Sequence, residues 1–464
     1  MKRQKKSTLA LIVMLIMTLT VLPACTKSDA GKDLTSETNG TSEEQITLRL
    51  TLWGSPREID VNKKAVAKFE EKNPNVKVDM QFIPTDYDTK LTTMVAGNDE
   101  PDVAMMESGT IAYPLAEEGK FLNLQPYLEN DPDISMDSLV PNITYSSEVG
   151  NIIGIAPGPE SYALFYNEDA FKDAGLPAPP SKISEAWTWD EFVDVAKQLT
   201  LDNKGRNAAD PAFDPKNIKQ YGVNIGTFWG AYSNFIYSNG GDFISADGKT
   251  FAMNQPEAVE ALQKLADLVN VHHVSPSPVQ SKNIPATNVA LQTRKVAMAV
   301  DGQWNTSALA SSNFNFNVGV LPVMKEPVTT VVAGMFSVFK STEHPEEAWE
   351  LVKALIDPES SIDMLQDGVW MPALKSWYTD EALVSRWTDN LKSRPSGYKD
   401  AVIDVMLNYS HQTPTGYVKN FNKLMDVVTP ALDKVWLGQQ SAQEAMDAIA
   451  DKAQAHVKGR RDIE

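Results

Sequence analysis

Pro157-Gly158-Pro159 divides this chain. Two prolines fix φ and remove two backbone donors on either side of the most permissive residue, so no strand or helix runs through them. Before the break the chain alternates. A β-rich run at 46–53 leads to a helix at 58–72, with Val61, Ala65, Val66 and Phe69 on one side and a stop at Asn73-Pro74. A strand at 76–82, a helix at 87–96 ended by Gly97, and a strand opening at 101–106 complete the run. After it the same grammar resumes, with a strand at 163–167 and a helix at 168–174 closed by Gly175. The break therefore reads as a crossing between two α/β lobes, and 464 residues exceed what one core usually supports. Short β-α-β-α-β links imply a parallel sheet covered on both faces, with ligands beyond the carboxyl ends of its strands. That places 53–58 and 106–110 at one rim, and Glu160 and Tyr162 at the crossing.

Thr188-Trp189-Asp190-Glu191 is a capping box opening a helix to about Leu199, with Trp187 and Trp189 stapling its start to the second lobe. Residues 202–217 form a polar loop; Asp202-Asn203-Lys204-Gly205 lacks the alternating oxygen ligands and closing Glu of a calcium loop and reads as a plain turn. Helices are expected at 227–237, 256–271, 288–292 and 346–356, strands at 221–225, 296–300, 316–321 and 331–339, and mainly helix from 381 onward.

The N-terminus carries an address. Lys2, Arg3, Lys5 and Lys6 precede an uncharged apolar stretch at 8–22, short for a membrane span and suited to a secretory signal. It ends in Leu22-Pro23-Ala24-Cys25, which resembles the lipobox of bacterial lipoproteins and makes Cys25 the candidate lipidation site after removal of 1–24. Residues 25–45 then form a polar tether. Cys25 is the only cysteine, which excludes disulfides, thiolate metal sites and cysteine catalysis. Loss of 1–24 removes four cations and no anion, taking the net charge from −19 to −23, which argues against nucleic acid as a partner.

Several segments together resemble the bacterial extracellular solute-binding proteins of ABC importers, the sugar-binding family that includes maltose-binding protein. They are Phe-Glu-Glu-Lys-Asn-Pro-Asn-Val-Lys-Val at 69–78, Ala96-Gly97 with Pro101-Asp102-Val103, Leu-Phe-Tyr-Asn-Glu-Asp-Ala-Phe at 164–171 with Ala174-Gly175-Leu176, and Thr188-Trp-Asp-Glu. Asn239-Gly-Gly-Asp242, Val296-Ala-Met298 with Gly302-Gln-Trp304, and Glu346-Glu-Ala-Trp349 follow in order. The resemblance implies a two-lobe periplasmic-binding-protein-like α/β fold of type II, with three interlobe crossings, a helix-rich C-terminus and hinge closure on ligand. Lobe one is expected at 46–158 plus 333–369 and lobe two at 159–332 plus 370–464, with the later crossings near Gly334-Met335 and Gly368-Val369-Trp370. It further implies a carbohydrate ligand, ABC permease subunits as partners, a monomer on the outer face of a Gram-positive-type membrane held through Cys25, no cofactor or metal, and no enzymatic activity.

A sugar presents apolar C–H faces and a rim of hydroxyls, so its cleft needs aromatic plates and paired polar groups. With 10 Trp and 13 Tyr the chain has plates to spare. Trp304 matches the family's stacking tryptophan and follows Asp301 at the end of a strand. Trp229 and Tyr232 sit where relatives carry sugar-contacting aromatics, or pack their own helix. Trp370 and Met335 fall at crossings, where Trp370 stacks on ligand or packs the hinge. Glu160 aligns with a ligand-contacting acid, and Tyr162 lies beside it. Trp53, Ser55, Arg57 and Glu58 follow the first strand, Glu58 either facing ligand or complementing its helix dipole. Glu107 and Ser108 follow the third strand. Tyr417 and Phe421 are weaker candidates. Gly109-Thr110 replaces the Asp-Arg pair of maltose-binding proteins, which bears on maltodextrin and leaves sugar binding intact. The rival functions are a receptor for peptides or other polar solutes and a lipid-anchored glycoside hydrolase, which needs a carboxylate pair across the cleft.

Overall fold

Two β-sheets form, and the Pro-Gly-Pro break lies between them. The structure, a computed structural model, describes residues 45–107, 111–389 and 391–463; Cys25, most of the tether, and Ser108, Gly109 and Thr110 lie outside the described residues. The first sheet contains β1 (Ile46–Leu52), β2 (Val76–Phe82), β3 (Val103–Glu107), β4 (Thr144–Glu148) and β5 (Asn151–Ile155). The second begins with β6 (Glu160–Asn167) and adds β7 (Leu201–Asp202), β8 (Ile218–Ile225), β9 (Val296–Gly302), β10 (Phe316–Gly319) and β11 (Thr329–Val332). The chain then returns to the first sheet as β12 (Gly334–Val338) and reaches the second again as β13 (Ser410–Gln412).

The first sheet has the order β2-β1-β3-β12-β5-β4. Only β2, β1 and β3 are mutually parallel; β12, β5 and β4 pair antiparallel. The three strands of the β-α-β-α-β run are thus parallel as expected, while the whole sheet is mixed. The reason is that β12 enters from the opposite lobe and β4–β5 is a hairpin, so neither has the helical crossover that enforces parallel pairing. The apolar run at 331–339, expected as one strand, is two. Val332 still pairs with Glu160 in the second sheet, whereas Gly334 pairs with Glu107 in the first, leaving Ala333 alone as the link.

The helices form where the local chemistry asks for them. Helix Pro56–Lys72 starts at Ser55, whose hydroxyl accepts from Glu58 N–H while the Glu58 carboxylate accepts from Ser55 N–H at 2.7 Å. Thr188 and Glu191 form the same box at the head of helix Trp189–Leu199. Trp189 is buried there, and Trp187 stacks on Phe171 at 6.4 Å. The Asp202 carboxylate pairs with Arg206 at 2.6 Å and accepts backbone N–H groups from Lys204, Arg206 and Asp214, which closes the turn.

Helix Pro345–Ile356 packs on the first sheet through Trp349, Val352 and Leu355, while Met364 and Leu365 of helix Ile362–Asp367 lie with the core of the second. Away from the crossings the Tyr113 hydroxyl donates to the Gly416 carbonyl at 2.8 Å, and the Arg461 guanidinium lies 3.8 Å above the Tyr113 ring.

Candidate functional site

Five aromatic rings and three carboxylates meet where the sheets face each other. Trp53 and Glu58 come from the β1–helix junction, Glu107 from the end of β3, and Glu160 and Tyr162 from the start of β6. Trp304 follows β9, and Trp370 lies after helix Ile362–Asp367. They line a cavity of ≈ 470 Å³ whose floor is Pro157, Gly158 and the Val332–Gly334 link. A larger groove of ≈ 690 Å³ opens elsewhere between Glu117 and Lys419, Lys458 and Arg461. Among the described residues Tyr113 is its only ring, so the smaller cavity, where plates and carboxylates converge, is the better site.

Backbone and buried side chains set the second lobe's plates. Gly302 has no Cβ, and one built there would lie 2.0 Å from the Trp304 ring, so the indole folds back over the main chain. Tyr162 meets that indole edge-on, 5.6 Å between centroids at 80°. Gln303, fully buried, donates to the Val369 carbonyl at 2.9 Å and accepts from the Tyr398 hydroxyl at 2.9 Å. Arg394 lies over the Tyr398 ring and donates to the Leu365 carbonyl at 2.6 Å and the Trp370 carbonyl at 3.0 Å. One polar network therefore ties Trp304 to Trp370. Across the cavity Trp53 packs on Tyr87, 4.9 Å between centroids.

The carboxylates differ in what meets their charge. Glu58 is held by the Ser55 N–H at a helix N-terminus. Burial, then the charges of Glu107 and Glu58, push the Glu160 carboxyl well above the usual range. Burial and Asp88 raise Glu107 too. Glu107 is exposed at the cavity mouth by surface area yet walled by protein on most sides, and the shift follows from those walls.

The remaining candidates lie elsewhere. Tyr232 stacks on Phe243 at 6.2 Å inside the second lobe's core, because its position on helix Trp229–Ser238 points inward. Met335 is fully buried within β12, its sulfur against Gly154. Asp301 accepts from Thr287 and from Gly302 N–H at the end of β9, which fixes the strand's exit and not the cavity wall. Trp229 is half-buried between Phe228 and Phe421. Tyr417 is buried against Tyr237 and Asp242. Arg57 turns to Asp367 at 2.7 Å. Phe228 and Met105 line the cavity without having been singled out from sequence. Phe228 precedes a helix in an aromatic cluster, a signal that was readable; Met105 sits in a uniformly apolar strand and gives none.

The family described as bacterial extracellular solute-binding protein matches residues 56–362. An ABC substrate-binding protein from Listeria monocytogenes, solved in complex with cycloalternan, is similar at 24% identity with a TM-score of 0.72, covering 89% of this chain and 99% of that one. The sugar-binding protein MalE from Xanthomonas citri superposes with a TM-score of 0.73 at 18% identity, over 89% of this chain and 97% of its own. The galactooligosaccharide-binding protein of Bacillus subtilis is 21% identical over 420 residues, 89% of this chain and 90% of that protein. The two-domain α/β fold is that of periplasmic binding proteins.

Proposed function

Because this chain belongs to the bacterial extracellular solute-binding protein family, we propose that its interlobe cleft captures a sugar and that the loaded protein delivers it to an ABC-type importer. The observation that carries the reading is the pairing of plates with carboxylates. Trp53 and Trp304 come from opposite lobes onto one cavity that also holds Glu107 and Glu160. Stacked rings take the C–H faces of a pyranose, and the carboxylates accept from its hydroxyls. Three similar proteins are named for, or solved with, a carbohydrate or sugar role, which supports the same class.

The link at Ala333 and the break at 156–159 give the lobes narrow connections about which to close. In this reading the open form takes ligand on one lobe and the second lobe swings onto it. The chain acts outside the cytoplasmic membrane, held there by acyl chains on Cys25, as a monomer with no catalytic step. Isothermal titration against a panel of oligosaccharides tests it: saturable binding of at least one is expected. Binding of none, together with hydrolysis of one, overturns it in favour of a glycoside hydrolase using Glu160 and Glu107 as its carboxyl pair.

A further inference from the structure

The cavity's charge is one-sided. Glu58, Glu107 and Glu160 line it, and among the described residues no Lys, Arg or His does. Glu58 is met by its helix N-terminus, and its neighbour Arg57 is engaged by Asp367. Glu107 and Glu160 have no side-chain hydrogen bond or ion pair among the described residues, although Glu160 is enclosed deeply enough that ionisation is strongly disfavoured. By surface area Glu160 is half-buried and Glu107 exposed, both opening on the cavity. An enclosed carboxylate without a partner is a standing cost, and it is relieved most by a cation that can also donate hydrogen bonds.

From this we propose that the cleft selects a sugar bearing a protonated amine over its neutral and anionic counterparts; the inference rests on the sugar-binding reading above. A neutral sugar supplies hydroxyl donors but no charge that would offset ionisation of Glu107 and Glu160. A uronate adds a further anion. A primary ammonium brings three donors and a positive charge to the two unpartnered acids, and charge-assisted bonds are the stronger kind. Trp304 and Trp370, which line the cavity, add the attraction that aromatic rings hold for cations. The same ammonium chemistry occurs in linear polyamines, but these have no flat apolar face to use the plates.

The test is calorimetric titration of the mature protein with matched sets of glucose-, galactose- and mannose-based disaccharides in neutral, amino and uronate forms, with spermidine as the ring-free amine. An amino member binding at least about tenfold tighter than its matched neutral and uronate forms is expected, with a preference that shrinks as salt rises. Glu107→Gln/Glu160→Gln, both near-isosteric, is expected to abolish most of that preference while circular dichroism shows a folded protein. A neutral or uronate member as the tightest binder overturns the inference and leaves sugar binding standing. A preference that survives the double variant overturns its assignment to these acids. Spermidine binding tighter than every sugar overturns the sugar reading and leaves the ammonium inference, and no binding by any member overturns both.

Discussion

Gly158 lies against Met371 so closely that a Cβ on it would sit 1.8 Å from the Met371 carbonyl oxygen. The first crossing of the chain thus packs on the backbone that follows Trp370, and Gly158 and Trp370 both line the cleft. Gly158→Ala forces one of two backbones to shift, because no flexible side-chain end is there to yield. Overpacking of this kind destabilises by about 1–3 kcal/mol. Urea unfolding of the ligand-free protein should show that loss, and a variant as stable as the parent would mean that the crossing adapts freely.

Trp304 depends on Gly302 for its place. Removing the plate, as in Trp304→Ala, should weaken sugar binding by roughly 2 kcal/mol if it is a central stacking residue. Gly302→Ala keeps the indole but occupies the space it folds into, so affinity should fall nearly as far while Trp304 remains. Titration of both variants checks this. Full affinity in a folded Gly302→Ala protein would show that the indole stacks on ligand from another position.

Much of this arrangement was legible in the sequence because it is written in local chemistry. Helix Glu168–Ala174 with its Gly175 cap, strand β2 and the Thr188 box lie where periodicity and capping put them. The mixed sheet was not legible, since pairing direction depends on where β12 arrives from after the second lobe has folded. The periodicity at 331–339 reads as one strand because both halves are apolar; the crossing near Gly334 came from the family resemblance and not from the pattern. Within the cleft, Trp53, Glu58, Glu107, Glu160, Tyr162, Trp304 and Trp370 could be nominated by their place at strand ends and crossings. Tyr232 looked equally good, because an aromatic on a helix carries no mark of which face it occupies. The network of Gln303, Tyr398 and Arg394 joins residues far apart in sequence, so nothing local announced it.

Cys25→Ser should release the protein to the medium. A single acyl chain holds a protein only marginally and two chains hold it stably, each buried methylene adding about 0.8 kcal/mol. Without the thiol neither chain is attached, and cleavage before residue 25, checked by the mass of the product, leaves the chain without the apolar segment at 8–22. Fractionation of cells into membrane and supernatant measures it. Retention of the serine variant on the membrane, at the parent's level, would place the anchor elsewhere.

Glu160 makes stability depend on pH in a direction of its own. Its folded-state pKa is raised well above the ordinary 4.5 by burial and by Glu107 and Glu58. Below about pH 4.5 the group is protonated in both folded and unfolded chains and contributes no penalty. Above that pH the unfolded chain loses the proton while the folded chain keeps it, so stability falls as pH rises through the folded pKa. Glu107 acts in the same sense, and carboxylates such as Asp202, held at about 2 by Arg206 and backbone donors, act in the opposite one. Comparing Glu160→Gln with the parent isolates the single group from that background. The variant should be close to the parent in urea midpoint at pH 4 and progressively more stable than it towards pH 8. Curves that stay parallel across this range would show that the Glu160 carboxyl titrates as it does in the unfolded chain, and that the cleft does not disfavour its charge.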